Sequence, residues 1–340
     1  MNLFELTRAL VDIDSVTERE KQVGDLLFEQ LSTLAARYAG HIERIPAEPD
    51  RDDLFAFWGD PLVTLSTHMD TVPPFFASSE DEQFIYGRGA CDAKGIIATM
   101  IAAAENLLAC GMRNVALLFV VGEERNSAGA RAAAANPRGS RFLINGEPTE
   151  NRLALGCKGA LRYEIAARGK LAHSAYPELG RSAIHTLLDV LNDLRQIPLP
   201  ADPLLGPSTL NIGTVSGGRA PNVVADEARA EIMFRTVAEP EAIRKAVSAA
   251  VQGRAEAREV LYTPAVRLAG FNGLPTTVVA FTTDIPTLGE AWGKPFLIGP
   301  GSIHVAHTAE ERIEKKELTD AVEIYGRMVR QLLMTGEANL

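Results

Sequence analysis

The chain has 340 residues, enough at roughly 100–200 residues per domain for about two domains. Hydrophobic residues make up 46% and charged residues 23%, a composition that excludes wholesale disorder. Its 34 Lys and Arg against 44 Asp and Glu give a net charge of −10 without a basic stripe, which excludes a nucleic-acid partner. The acidic excess can concentrate cations. Three dispersed cysteines, Cys91, Cys110 and Cys157, form neither a disulfide framework nor a CxxC pair, so a cytoplasmic setting is expected. Met1–Ser15 carries three carboxylates and does not read as a signal peptide. The apolar run Gly95–Ala104 is too short to cross a bilayer, so no membrane partner is expected.

In chain order, Leu3–Ile13 reads as a helix, and Thr17-Glu-Arg-Glu20 as a capping box opening a second helix to about Arg37. Leu62–Thr67 reads as a buried strand, Lys94–Ala109 as a helix and Val115–Val121 as a central parallel strand. A short helix at Arg131–Ala135 and a strand at Arg141–Asn145 follow. Beyond Cys157 the pattern changes to strand Leu161–Ala167, helix Gly180–Leu194, and strands Ser208–Val215 and Val224–Val237. Helix Glu239–Val251 and strand Glu256–Tyr262 complete a β-α-β-β-α-β order like a ferredoxin-like unit. After Pro264 the α/β rhythm returns, closing with a helix at Lys316–Leu333. The expected fold is therefore α/β, with a discontinuous domain (1–157 and 265–340) and an inserted α+β domain (158–264).

Chemistry-bearing residues gather at the predicted strand ends. His68-Met-Asp70 follows Leu62–Thr67, and residues two apart on an extended segment point the same way. Asp70 can thus accept the second ring N–H of His68. Gly87-Arg-Gly-Ala-Cys-Asp92-Ala-Lys-Gly95 precedes a helix; Asp92 is either an N-cap or a ligand. Neither phosphate-loop glycine pattern fits, which argues against a nucleotide-dependent oxidoreductase. Glu123 and Glu124 end the strand Val115–Val121, and Glu147 follows Arg141–Asn145. Buried strand-end carboxylates are costly unless paired or metal-bound, and open α/β sheets bind ligands at this edge. Gly299-Pro-Gly301-Ser-Ile-His304-Val-Ala-His307 adds one more working histidine, either His304 or His307, and glycine amides that could hold an anion. Two imidazoles and several carboxylates suit a two-metal hydrolytic centre of Zn²⁺, with Co²⁺ or Mn²⁺ able to substitute. One carboxylate is left over as general base.

His68-x-Asp70, Gly87…Asp92-x-Lys-Gly95, Gly122-Glu-Glu124, Gly146-Glu-Pro-Thr149, His173-Ser-Ala-x-Pro177 and the closing Gly-Pro-Gly…Ala-His307-Thr occur in order. Together they resemble the M20 zinc peptidases, within them the acetylornithine deacetylase, succinyl-diaminopimelate desuccinylase and acetyl-lysine deacetylase group. The resemblance implies a zinc-exopeptidase-like mixed-sheet catalytic domain and a ferredoxin-like lid and dimerisation domain. It implies Asp92 as the carboxylate bridging two metals, His68 and Glu147 on one, Glu124 and His307 on the other. Glu123 would be the general base and Asp70 the residue orienting His68. His173 would stabilise the oxyanion, across a homodimer in dimeric members. Asn222 and Arg235 match substrate-contacting positions, and Gly301 is a further substrate-binding candidate.

Two departures from that pattern are Thr308-Ala-Glu310-Glu311, where many relatives have Pro-Asp-Glu after the last His-x, and Arg181, where they often have Asn. The expected activity is removal of an acetyl or succinyl group from an N-acyl amino acid by a metal-bridging water that Glu123 activates. A dipeptidase or aminopeptidase with the same chemistry is the alternative. A non-catalytic metal-containing scaffold would not need the complete ligand set and the base.

Overall fold

The computed structural model describes residues 1–335. The chain forms two compact units. The first comprises Met1–Leu155, Leu268–Thr277 and the segment from Thr283 onward; the second comprises Gly156–Arg267 and Val278–Thr282.

The first unit is built on the larger part of a nine-stranded mixed sheet. At its centre Val115–Val120, Val63–His68, Phe142–Asn145 and Lys294–Leu297 lie side by side and parallel. His68 is level with Val120, Ser66 with Asn145, and Asn145 with Leu297. All four strands therefore end on one edge, which is what gathers their strand-end residues. The first three are buried along their whole length, as apolar strands covered on both faces must be. Alternate side chains serve opposite layers. Leu117 and Phe119 join Leu27, Leu31, Ile96, Met100 and Met328 on one face. Ala116 and Leu118 join Phe55, Ala133 and Trp292 on the other. Each such buried large side chain contributes roughly 1.5–3 kcal/mol.

The chain also folds a hairpin, His41–Glu48 with Arg51–Trp58, that has no counterpart in the sequence reading. His41-Ile-Glu-Arg-Ile lacks a clean apolar alternation, and tertiary pairing of Leu54–Trp58 with Val115–Phe119 overrides that weak pattern. The expected capping box at Thr17 does not form. The second helix begins at Lys21, its N-cap Glu20 makes no side-chain cap, and Glu20 pairs instead with buried Arg51 (Nε to Oε2, 2.9 Å). A capping box does form at Asn2 and Glu5, opening the helix Leu3–Val11.

In the second unit, strands Gly159–Arg168, Thr209–Gly217, Glu227–Thr236 and Ala255–Thr263 pair antiparallel. Their spatial order is Thr209–Gly217, Glu227–Thr236, Gly159–Arg168, Ala255–Thr263. With helices Ala183–Arg195 and Glu241–Val251 they follow a β-α-β-β-α-β order. Ala228, Ala230, Ile232 and Phe234 face these helices, packing with Leu187, Val190 and Val247. Among the described residues no helix is long and apolar enough to cross a membrane.

Candidate active site and metal centre

The strand Val63–His68 delivers a buried imidazole at its last residue. His68 Nδ1 lies 3.0 Å from the Asp70 carbonyl oxygen and 3.5 Å from Asp70 Oδ1. Both the Asp70 carbonyl and the Asp70 carboxylate thus face the second ring nitrogen of His68, the carbonyl at the shorter distance. That carboxylate also has other partners. It accepts the Glu123 N–H (3.0 Å), the Glu124 N–H (3.2 Å) and the Thr17 hydroxyl (2.7 Å). Asp70 therefore ties the His68 segment to the Glu123–Glu124 turn. Gly122 makes that turn possible: its φ of +77° is one that glycine adopts without strain.

Asp92 does not cap the following helix, whose N-cap is Ala93 with no side-chain cap. Its two oxygens face two imidazoles: Oδ1 lies 2.9 Å from His68 Nε2 and Oδ2 lies 3.3 Å from His307 Nε2. His307 Nε2 also lies 2.8 Å from Glu124 Oε1. Ligand atoms of His68, Asp92 and Glu124 all fall within 4.8 Å of one another, a spacing that can hold a metal ion.

Glu147 follows the strand Phe142–Asn145 and is buried. Its turn is pinned by Gly146 N–H to the Ser66 carbonyl (2.8 Å) and by the Thr67 hydroxyl to the Gly146 carbonyl (2.8 Å). A Cβ at residue 146 would meet Ile96 Cγ2 at 2.4 Å, so only glycine lets the helix Lys94–Ala109 pack there. Thr149 joins this turn to the glycine-rich loop, its hydroxyl accepting the Gly299 N–H at 3.0 Å. In that loop His307 adopts φ +63°. The Gly301 N–H, expected as a free anion donor, already donates to Glu317 Oε2 at 2.7 Å. His304 is exposed, and buried Cys91 donates its thiol to the Ser302 carbonyl.

The site's charges interlock. Burial opposes charging His68, but hydrogen bonds to Asp70 and Asp92 and the Glu147 charge overcome it and hold its pKa well above the ordinary imidazole range. Hydrogen bonds to Asp92 and Glu124 push His307 up to about 10. Burial opposes ionisation of Asp92, yet the two imidazoles keep it well below the usual carboxylate range. Burial and neighbouring negative charge push Glu123, Glu124 and Glu147 upward. Glu147 Oε1 is buried with no hydrogen-bond partner. A surplus of buried carboxylate, an orphaned oxygen and two imidazoles fit divalent cations, which would supply the missing positive charge.

The second unit holds His173, Asn222 and Arg235. His173 Nδ1 accepts the Ala175 N–H at 3.1 Å, and the Ser174 N–H donates to the Asn222 carbonyl at 3.0 Å, so the His173 and Asn222 segments lie together. Arg235 lies between Ala160 and Thr209 in register on its strand.

The sequence pattern of peptidase family M20/M25/M40 matches residues 64–331. The chain belongs to that family. This M20 peptidase is 38% identical over 338 residues to a peptidase M20 domain-containing protein of Schizosaccharomyces pombe, covering 96% of this chain and 84% of that one. A probable carboxypeptidase of Aspergillus flavus is 36% identical over 374 residues, covering 96% and 86%. The fold resembles that of an M20 family metallo-carboxypeptidase from Sulfolobus solfataricus with a TM-score of 0.77 at 17% identity, over 96% and 98% of the two chains. The M20 peptidase is accordingly a metallopeptidase, a hydrolase of amide bonds.

Two residues that brace the centre have no place among the site residues read from the sequence: Thr17, through Asp70, and Glu311, through the turn that carries Asp92. In the sequence Thr17 reads as part of a helix cap, and Glu311 falls on the Glu of the Pro-Asp-Glu of relatives.

Proposed function

We propose that this M20 peptidase is a two-metal amidohydrolase that releases an amino acid from an N-acyl amino acid, with acetyl or succinyl as the acyl group. The observation that carries the reading is Asp92, whose two oxygens each face a different imidazole. His68, Asp92 and Glu147 would hold one ion; Asp92, Glu124 and His307 the other. Zn²⁺ suits this N/O set, and Co²⁺ or Mn²⁺ can take its place. When bound, such ions polarise the scissile carbonyl and lower the pKa of the attacking water. Glu123 takes the proton from that water and returns it to the leaving amine. His173 steadies the oxyanion, delivered across a homodimer formed through residues 158–264. Arg235 and Asn222 receive the carboxylate of the released amino acid.

A second reading, carboxypeptidase action on short peptides, is favoured by the name of the A. flavus relative. It breaks the same kind of bond, the amide joining an acyl group to a residue with a free carboxylate.

The test is amine release in the presence of Zn²⁺ or Co²⁺ from acetylated and succinylated ornithine, lysine, citrulline and diaminopimelate, with dipeptides and tripeptides alongside. Chelator-sensitive cleavage of an acyl amino acid is expected. Cleavage of tripeptides at the C-terminal residue alone would move the assignment to carboxypeptidase, and of dipeptides alone to dipeptidase or aminopeptidase. Silence across the panel with two metals bound would overturn the substrate class.

A further inference from the structure

Glu311 lies four residues beyond His307 and is almost fully buried, as is its partner Arg88. The strand Arg312–Glu314 pairs antiparallel with Phe84–Tyr86, Arg312 opposite Tyr86. The ladder extends one step further, the Gly87 N–H donating to the Glu311 carbonyl at 3.1 Å. This register slides the Glu311 side chain beneath the turn that leads to Asp92. There Oε1 accepts three backbone N–H groups in succession: Gly89 at 2.9 Å, Asp92 at 3.2 Å and Cys91 at 3.3 Å. Oε2 accepts from Arg88 Nη1. Arg88 is itself fixed, donating through Nε to the Pro74 carbonyl at 3.2 Å and lying 5.0 Å from the centre of the Phe76 ring.

One carboxylate thus holds three amides of the turn that carries Asp92, while its own loop carries His307. A charged acceptor shared by several converging N–H groups fixes a turn more firmly than a neutral one. From these contacts we propose that Glu311 is a positioning residue that sets Asp92 against His307, and so fixes how tightly and in what geometry the centre takes divalent cations. The inference rests on the metal-centre reading above. Glu311 touches neither substrate nor ion; it acts through the backbone of Asp92.

The test is a Co²⁺ titration, followed by visible absorption, of the metal-free full chain. It compares the wild type with Glu311→Gln and with the double variant Arg88→Met/Glu311→Gln. The double variant removes the unpaired buried guanidinium that could by itself unfold the single one. Far-UV circular dichroism and the melting temperature of the metal-free proteins report folding separately. The expected result is a folded variant whose Co²⁺ dissociation constant rises about 10–100-fold, the usual effect of losing an outer-sphere partner, with altered Co²⁺ band intensities. Folded variants that bind Co²⁺ within twofold of the wild type, with its spectrum, overturn the inference. A wild type that binds no Co²⁺ removes the metal-centre reading and this inference with it.

Discussion

The Thr17 hydroxyl donates to Asp70 Oδ2 at 2.7 Å, across 53 residues of chain. The same carboxylate holds the Glu123 and Glu124 amides, so a residue of the first turn after the N-terminal helix helps to brace the catalytic edge of the sheet. The surrounding backbone is stitched in the same way, with Thr17 N–H to the Thr71 carbonyl and Thr71 N–H to the Ser15 carbonyl. Thr17→Val removes the donor and leaves a buried charged oxygen one bond short. The expected loss is about 1.5–3 kcal/mol of stability, the range for hydrogen bonds to charged groups, with a fall in kcat at little change in KM. Thr17→Ser should restore both. Urea denaturation and steady-state kinetics check this, and a Thr17→Val protein equal to wild type in both would show the hydroxyl to be idle.

Glu123 supplies no metal ligand in the proposed mechanism. Glu123→Gln keeps its size and removes its basicity. Turnover should fall by about 10²–10⁴, while Co²⁺ binding, read by titration, stays near that of the wild type. Undiminished turnover would reassign the base.

Divalent cations that bind only the folded site stabilise it by mass action, by about 2.7 kcal/mol at a hundredfold excess over Kd. A chelator should therefore lower the melting temperature, and added Zn²⁺ or Co²⁺ should restore it. Asp92→Asn, which weakens the ligand facing both imidazoles, should make the melting temperature insensitive to chelator. Calorimetry on the two proteins with and without chelator decides this.

Asp284 lies buried at the start of a short helix, Ile285–Leu288, and burial pushes its carboxyl up to about 6 from an ordinary value of 3.8. A group whose folded pKa lies above its unfolded one binds its proton more tightly in the fold. Its stability contribution is then complete below about pH 4 and is lost as pH rises to about 6. Asp284→Asn removes that loss. The metal-free variant should come closest to the wild type near pH 4 and be the more stable of the two above pH 6. Urea midpoints at several pH values test the sign, and a variant less stable than wild type at pH 7 would refute it.

The legible part of this protein lay in its strands and in what ends them. Val115–Val120 could be read because a strand buried on both faces must be a continuous apolar run. His68, Glu123, Glu124 and Glu147 could be singled out because polar residues directly after such runs demand a partner. The β-α-β-β-α-β order of the second unit was equally readable, since Ala228 to Phe234 alternates with the two-residue period of a half-buried sheet. The hairpin His41–Trp58 was not, because its edge strand is a polar mixture and its inner strand takes its place by pairing with Val115–Phe119, about sixty residues away.

Sequence alone determined which residue types could form a metal centre and which strand ends carry them. Tertiary structure alone decided how they face one another. Parallel register brought the four strand ends to one edge, and Asp92 was turned from a helix cap into an acceptor between His68 and His307. The supporting partners belong to that second class throughout. Thr17 meets Asp70 across 53 residues, Glu20 meets Arg51 across 31, and Arg88 meets Glu311 across 223. Spacing along the chain reports local periodicity, whereas these bonds exist only because folding removes water from each group and brings distant polar groups within its reach.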